Sequence, residues 1–290
     1  MTKFTAVLLG AMLLVNITAC GKEKEAGSVN TPATNADVYE AGSASASAEG
    51  PLPTVDELIM RSAEAAKALK SYSMQGNVNQ KMTVKQGDQE TSNNTKAVMM
   101  IDVQQKPFAI YQELENDAEE EGKTVIKQYI TNEGIYILTD GAWVRIPKVV
   151  QEGLISRMQQ ASSLEARLEN FKLMNKEVTV TEEEDEYILS ADLSGDEYKK
   201  LAASLIGQVA IGKEEEMAAM LEVLTIKRIM LSNAIDKETY LPTRIDMYLE
   251  LEMEIEDQFT LWVMSSNGQI SNHNVLDEIK IPQDVIDSAI

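Results

Sequence analysis

Cys20 is the only cysteine of this 290-residue chain, and it follows directly on a segment typical of an export signal. Lys3 supplies a basic start, and residues 6–15 form an uncharged apolar run. A membrane-spanning helix needs about 20 apolar residues, so this run is too short to cross a bilayer. The pattern predicts a secretory signal peptide over residues 1–19.

The four residues Ile17, Thr18, Ala19 and Cys20 give the end of this segment a more specific character. An aliphatic, two small residues and a cysteine resemble the lipobox of bacterial lipoproteins. That resemblance implies a diacylglycerol on the sulfur of Cys20 and cleavage just before it. The alternative is an ordinary signal peptide that contains a cysteine. Two acyl chains hold a protein stably on a membrane. We therefore expect an extracytoplasmic protein that is anchored to the outer face of the cell membrane.

Composition excludes several classes of function. The net charge of −21 disfavours nucleic acid as a partner. His273 is the only histidine, so it would have to serve any Ser-His-Asp triad, and zinc sites built from several His or Cys ligands are excluded. No nucleophile-elbow, metalloprotease or P-loop motif occurs. Paired carboxylates could still form a glycosidase site, and Asp and Glu are plentiful, but no spacing singles out a pair. We expect no enzyme, with that site as the alternative, and no cofactor besides the acyl groups on Cys20.

Residues 20–53 differ from the remainder of the chain. They are rich in Ala, Ser, Gly, Thr and Asn and contain too little bulky apolar surface to fold. We interpret them as a flexible tether that spans roughly 30 Å. Residues 54–290 are predicted to form a single domain.

Hydrophobic periodicity predicts the elements of that domain. Thr54 and Glu57 fit a capping box, and a helix with one apolar stripe should follow to about residue 70. Alternating apolar and polar residues then predict strands over residues 72–84, 96–103, 108–115, 124–131, 135–139 and 142–146. After a helical insert over residues 154–171, further strands are predicted at 178–181, 187–193, 225–235, 244–255 and 259–264.

Two stretches of the sheet are predicted to be turns, namely residues 86–94 and Asn267-Gly268. Two more helices are expected over residues 194–206 and 213–224. These strands have one polar, solvent-facing side and one apolar side, here called the dry face, and helices must cover the dry face. The fold class is thus α+β, with a large curved antiparallel sheet wrapped over helices.

Two short motifs resemble a known family. The first is the run Tyr129-Ile130-Thr131, Gly134-Ile135-Tyr136, Gly141, Trp143 and Arg145, and the second is the hairpin Asp236-Lys237-Glu238-Thr239-Tyr240-Leu241-Pro242. Both resemble the uncharacterised lipoproteins of domain family DUF6612 from Gram-positive bacteria, which are similar to the LolA, LolB and LppX–LprG proteins. The resemblance implies a half-barrel closed by helices around an apolar cavity that can hold acyl chains. It implies no catalytic residue.

Methionine is unusually frequent on the dry strand faces. Thioether side chains adapt to irregular apolar partners, which suits a lipid pocket. The candidate cavity-lining residues are Met74, Val78, Met82, Met247, Leu249, Met253 and Trp143. The alternative is a solid core that uses the same methionines, with Trp143, Tyr136 and Tyr129 in structural roles.

The acidic runs at residues 119–121, 182–186 and 214–216 lack the spacing of a calcium loop, and we interpret them as solvated surface. The sequence therefore predicts a membrane-anchored lipoprotein that binds or carries a lipophilic envelope ligand. The alternative is a structural or interaction lipoprotein without a cavity. No pattern indicates the oligomeric state.

Overall fold

A computed structural model describes residues 51–290 except 120–121, 173, 175–176, 200, 204–220 and 256. The predicted signal peptide, Cys20, nearly all of the tether and most of the helix predicted over 213–224 lie outside the described residues. So does the end of the helix predicted over 194–206.

Eleven strands of the described chain form one antiparallel sheet, in the order β6-β5-β4-β3-β2-β1-β11-β10-β9-β8-β7. The first six are β1 (Ser71–Gln86), β2 (Gln89–Gln105), β3 (Phe108–Ala118), β4 (Gly122–Thr131), β5 (Gly134–Thr139) and β6 (Ala142–Arg145). The others are β7 (Val178–Glu183), β8 (Glu186–Leu193), β9 (Leu224–Asp236), β10 (Pro242–Ile255) and β11 (Gln258–Ser271). Each half is a meander, and the pairing of β1 with β11 joins the two halves.

Four helices have both ends within the described residues. They are α1 (Val55–Lys67), α2 (Lys148–Ala161), α3 (Leu164–Lys172) and the short C-terminal α4 (Gln283–Ser288), with a 3₁₀ turn at Asp196–Tyr198. Residues 201–203 and 221–223 are helical as well. The predicted fold class is therefore confirmed. The first helix ends three residues before the predicted boundary at residue 70.

The capping box predicted at Thr54 is present and fixes the start of α1. The Glu57 amide donates to Thr54 Oγ1 at 3.2 Å, and the Thr54 amide donates to Glu57 Oε2 at 2.9 Å. One face of α1 then buries Leu58 and Ile59 completely against the sheet. Full burial of such a side chain contributes about 1.5–3 kcal/mol, so this face holds the helix in place.

Strand alternation separates an inner from an outer sheet face. The inner face carries Tyr72, Met74 and Val78 of β1, and the cross-strand register brings Val103, Ile101 and Ala97 of β2 to the same side. Buried side chains of this face form two clusters. One lies over β7–β11 with α1 and α3, and the other lies over β1–β5 with Leu164.

Both predicted turns differ from the structure. The turn over residues 86–94 is wrong, because β2 begins at Gln89 and only Gly87 and Asp88 connect it to β1. Gly87 adopts a φ of 58°, a conformation that favours glycine in tight hairpins. Asn267 and Gly268 do not turn either. They lie within β11 and pair with Asn77 and Gly76.

The C-terminal segment covers part of the outer face. Ile281 and Val285 pack against Tyr136, and Ile290 exchanges backbone hydrogen bonds with Trp143 and Arg145 at 3.0 and 3.1 Å. This end of the chain thereby protects the edge strand β6 from further pairing.

Candidate functional site

A cleft of about 320 Å³ lies between the inner sheet face and the helices α2 and α3. Strands β1, β2 and β3 form one wall, strands β9, β10 and β11 form the other, and both α-helices contribute the remainder. The volume falls at the low end of the range of ligand pockets, about 300–1,000 Å³. The cleft therefore has the size of a binding site for a small or elongated molecule.

The lining of the cleft is mainly apolar and rich in sulfur. Five methionines from four strands and one helix contribute to it: Met74, Met99, Met158, Met247 and Met264. Strand alternation explains the four strand positions, because every second residue of β1, β2, β10 and β11 points inward. Flexible thioethers give the walls an adaptable surface for apolar groups.

Polar side chains interrupt the apolar wall on β3. Gln112 and Asn116 line the cleft although only 2% and 5% of their surfaces are exposed. Gln128 Nε2 donates to Gln112 Oε1 at 2.6 Å, which fixes the orientation of the Gln112 amide. Among the described residues, neither Gln112 Nε2 nor Asn116 Oδ1 has a hydrogen-bond partner. Buried polar atoms without partners are costly, so these two atoms mark places where a ligand can hydrogen-bond.

A cation lines the cleft beside the junction of α2 and α3. Nε and Nη2 of Arg167 each donate to the carbonyl oxygen of Ala161 at 3.3 Å. Within the described residues, Arg167 has no carboxylate as an ion-pair partner. The guanidinium therefore faces the cleft with unused hydrogen-bond donors.

Tyr72 anchors the same junction to the sheet. Its hydroxyl donates to the carbonyl oxygen of Ser162 at 2.5 Å. Burial raises the pKa of Tyr72 to about 12, and the nearby Arg167 guanidinium opposes that rise. The phenol is therefore neutral at physiological pH, and its bond to Ser162 holds the helical junction over β1.

The structure distributes the predicted lining residues over three places. Met74, Val78 and Met247 line the cleft. Met82, Leu249 and Met253 share their face but are buried in the core cluster that lies over β7–β11. Their assignment to a ligand site remains a prediction.

Trp143 does not reach the cleft. Its strand register with Leu138 places it on the outer face, where its ring centroid lies 5.8 Å from that of Tyr129. It packs there beside Tyr136 and the C-terminal residues Ile281 and Val285. The alternation of side chains along β6 is the physical reason. Val144 pairs with the inward residue Ile137 and therefore shares its face, so that the neighbouring Trp143 points outward.

Sequence reasoning missed Gln112, Asn116 and Arg167. The alternation of β3 held a signal for the first two, because they are polar residues in the inward series Phe108, Ile110, Gln112, Leu114 and Asn116. No comparable signal marks Arg167, since its helix has one ordinary apolar stripe and the cleft exists only after folding.

A second cleft, of about 1,000 Å³, lies between the start of α1 and the segment after α3. Ionisable side chains contribute much of its wall: Asp56, Lys172, Glu177 and Glu197. Met174 is the one methionine among its described lining residues, against five in the first cleft, which makes it a poorer site for an apolar ligand.

Among the described residues, no group of three or more His, Cys, Asp or Glu side chains is arranged to hold a metal ion. None of the described helices combines the length and the apolar character needed to span a membrane.

The fold and the cleft define an α+β protein with an open antiparallel sheet and an apolar pocket beneath helices. The chain belongs to the family of unknown function DUF6612, whose model matches residues 54–290. No curated protein matches its sequence.

Solved structures show distant similarity. LprF from Mycobacterium bovis is 14% identical, with coverage of 81% of this chain and 99% of LprF and a TM-score of 0.44. A LolA superfamily protein from Nitrosomonas europaea is 9% identical, with coverage of 81% and 97% and a TM-score of 0.18. A DUF1329 family protein from Desulfovibrio piger is 13% identical, with coverage of 77% and 95% and a TM-score of 0.23.

Proposed function

We propose that this chain is an extracytoplasmic lipoprotein that binds or carries a lipophilic envelope molecule in the cleft between sheet and helices. Acyl groups on Cys20 would anchor it to the outer face of the cell membrane of a Gram-positive bacterium. The observation that carries the proposal is the methionine-lined cleft on the dry face of the sheet.

The composition of the cleft supports an apolar ligand. Burial of apolar surface contributes about 25 cal/mol per Å², so walls of methionine, valine and isoleucine favour hydrocarbon over water. The same walls offer little to a sugar or a nucleotide, which would need several polar partners. An acyl or prenyl chain is the ligand class that this lining fits best.

The anchor and the tether support a role close to lipid. A coil of the length of residues 20–53 reaches roughly 30 Å, so the cleft would remain near the bilayer surface from which a lipophilic ligand could come. Stable anchoring needs two hydrophobic signals, which a diacylglycerol on Cys20 would provide.

Native mass spectrometry and lipid extraction of the full chain from its own host test this function. We expect a bound lipid in the wild type and its loss in Val78→Trp, which fills the cleft from β1. Val98→Trp is the matched control, because Val98 is 46% exposed on the outer face of β2 and should retain the lipid.

Urea denaturation would establish that both variants are folded. Absence of lipid from the wild type, or equal lipid in both variants, would contradict the carrier function. That result would favour the second candidate, an interaction lipoprotein that uses the same sheet as a solid structural support.

A further inference from the structure

The cleft is apolar along most of its wall, and two of its polar lining side chains, Gln112 and Arg167, have N–H donors that no described hydrogen bond uses. On β3, the amide of Gln112 is oriented by its bond from Gln128 Nε2, so that Gln112 Nε2 is left without an acceptor. Gln112 is 2% exposed, so water at the protein surface does not reach this group freely. A ligand oxygen is the simplest partner for it.

The second position is Arg167 in α3. Its guanidinium carries five N–H donors, and the described contacts use Nε and Nη2 on one carbonyl oxygen, that of Ala161. Among the described residues that line the cleft, Arg167 is the only cation, and Asp246 is a carboxylate at its border. Asp246 forms an ion pair at 3.2 Å with Arg244, which also pairs with Glu183 and Glu186.

Arg167 has no carboxylate partner among the described residues, although the chain has 47 acidic and 26 basic side chains. Acidic partners are plentiful on the surface, where Arg228 pairs with Asp192 at 2.6 Å. Guanidinium groups bind carboxylates and phosphates with two parallel hydrogen bonds. Arg167 therefore has the chemistry to select an anion at the cleft.

We propose that the ligand of this cleft is an anionic amphiphile, whose carboxylate or phosphate pairs with Arg167 while its hydrocarbon chain lies along the methionine wall. Where that molecule contains an ester, its carbonyl oxygen accepts the N–H of Gln112. This inference rests on the proposed function and narrows it from lipophilic molecules in general to acidic ones.

Three amphiphiles with the same oleoyl chain test the proposal: oleate, oleoyl lysophosphatidylglycerol and the uncharged monoolein. Their dissociation constants are measured by calorimetry below their critical micelle concentrations. The protein is the full chain with Cys20→Ser, so that its own acyl groups do not compete. We expect at least one anionic probe to bind about tenfold more tightly than monoolein, the gain of one charge-assisted pair. Preference for oleate alone would assign a fatty acid, and preference for the phosphate probe would assign a phospholipid.

Arg167→Gln should remove this preference and leave monoolein affinity within about twofold, which also shows that the cleft is intact. Arg228→Gln is the matched control, because it removes the same charge from the outer face and should change none of the three constants. Gln112→Leu should weaken monoolein and lysophosphatidylglycerol several-fold, since both have an ester.

The outcomes separate the two proposals. If monoolein binds as tightly as both anionic probes, or if Arg167→Gln leaves the preference unchanged, the anionic ligand is disproved while lipid binding stands. Unchanged ester affinities in Gln112→Leu would disprove the role of Gln112. If none of the three probes binds to the wild type, the proposed function itself fails.

Discussion

Gly76 of β1 faces Gly268 of β11 at the seam where the two halves of the sheet join. A methyl group on Gly76 would overlap the carbonyl oxygen of Asn267 and the backbone around it. A methyl group on Gly268 would instead meet Met74 Cγ and Sδ at 3.4 Å, an ordinary contact with a flexible side chain. The two positions therefore tolerate a side chain very differently.

Gly76→Ala should consequently destabilise the protein by about 1–3 kcal/mol, since the added carbon forces the strand backbones apart. Urea denaturation measures the free energy of unfolding. Gly268→Ala is the matched control and should cost less than about 1 kcal/mol. Equal losses in both variants would contradict the asymmetry of this seam.

Thr54→Ala should destabilise the start of α1. The substitution removes the side-chain acceptor of the Glu57 amide, a first-turn N–H that has no intrahelical acceptor to replace it. The expected loss is about 1 kcal/mol in the free energy of unfolding. Thr54→Ser retains the hydroxyl and should behave like the wild type, whereas an equal loss in both variants would show that the cap is not responsible.

The Asp236 turn predicts a pH dependence. Asp236 Oδ1 accepts hydrogen bonds from the amide and hydroxyl of Thr239, both at 2.7 Å, and from the Glu238 amide at 3.2 Å. These bonds, led by the Thr239 hydroxyl, hold the pKa of Asp236 below its usual value. The stabilisation is present above the unfolded pKa of about 3.9 and is lost as pH falls through the lower folded pKa.

Asp236→Asn should therefore be less stable than the wild type near pH 7. This gap in the free energy of unfolding should close as the pH falls below about 4. Chemical denaturation across this range measures it. Glu238→Gln removes a neighbouring charge whose side chain takes no part in these bonds, and it should leave the acid response unchanged. A gap that persists at low pH would argue against the charged hydrogen bonds.

Substitutions of Gln112 and Gln128 should have non-additive effects on the free energy of unfolding. Gln112→Leu removes the acceptor of the Gln128 amide and should destabilise the protein by about 1–3 kcal/mol. The double variant with Gln128→Leu removes every polar atom of the pair and should recover that loss. Thermal or urea unfolding measures the stability of both variants. A double variant that is less stable than Gln112→Leu alone would contradict this coupling.

Cys20→Ser tests the predicted anchor. In growing cells the wild type should incorporate radiolabelled palmitate and sediment with membranes, because two acyl chains hold it there. Cys20→Ser should lose both properties. Ala19→Gly keeps a small residue before the cysteine and should retain both, while a Cys20→Ser protein that is still membrane-bound would disprove the lipid anchor.

Much of the fold was predictable from local patterns. Alternation along β10 from Arg244 to Ile255 and the capping box at Thr54 correctly marked a strand and a helix start. These signals are strong because the polarity of each side chain, read along the chain, indicates whether it faces water or the core. The predicted Asp236 hairpin also has a local basis, since its hydrogen bonds join residues two or three positions apart.

Other features depended on neighbours distant in sequence. Residues 89–94 are polar and belong to the predicted turn, yet they pair in register with the end of β1, whose backbone supplies their hydrogen bonds. Asn267-Gly268 has the composition of a hairpin turn, yet Gly268 lies opposite Gly76, where two glycines let the strands approach closely.

The sequence by itself determined the apolar and polar strand faces and the α+β class, because each follows from residue type and spacing along the chain. It also predicts the export signal that ends at Cys20. Only the tertiary structure decided that Met74 and Met247 face a common cleft while Met82 and Met253 are packed in the core. It alone brought Arg167 to that cleft and Trp143 to the opposite face. Such placements depend on strand order and helix position, which arise from contacts between residues far apart in sequence.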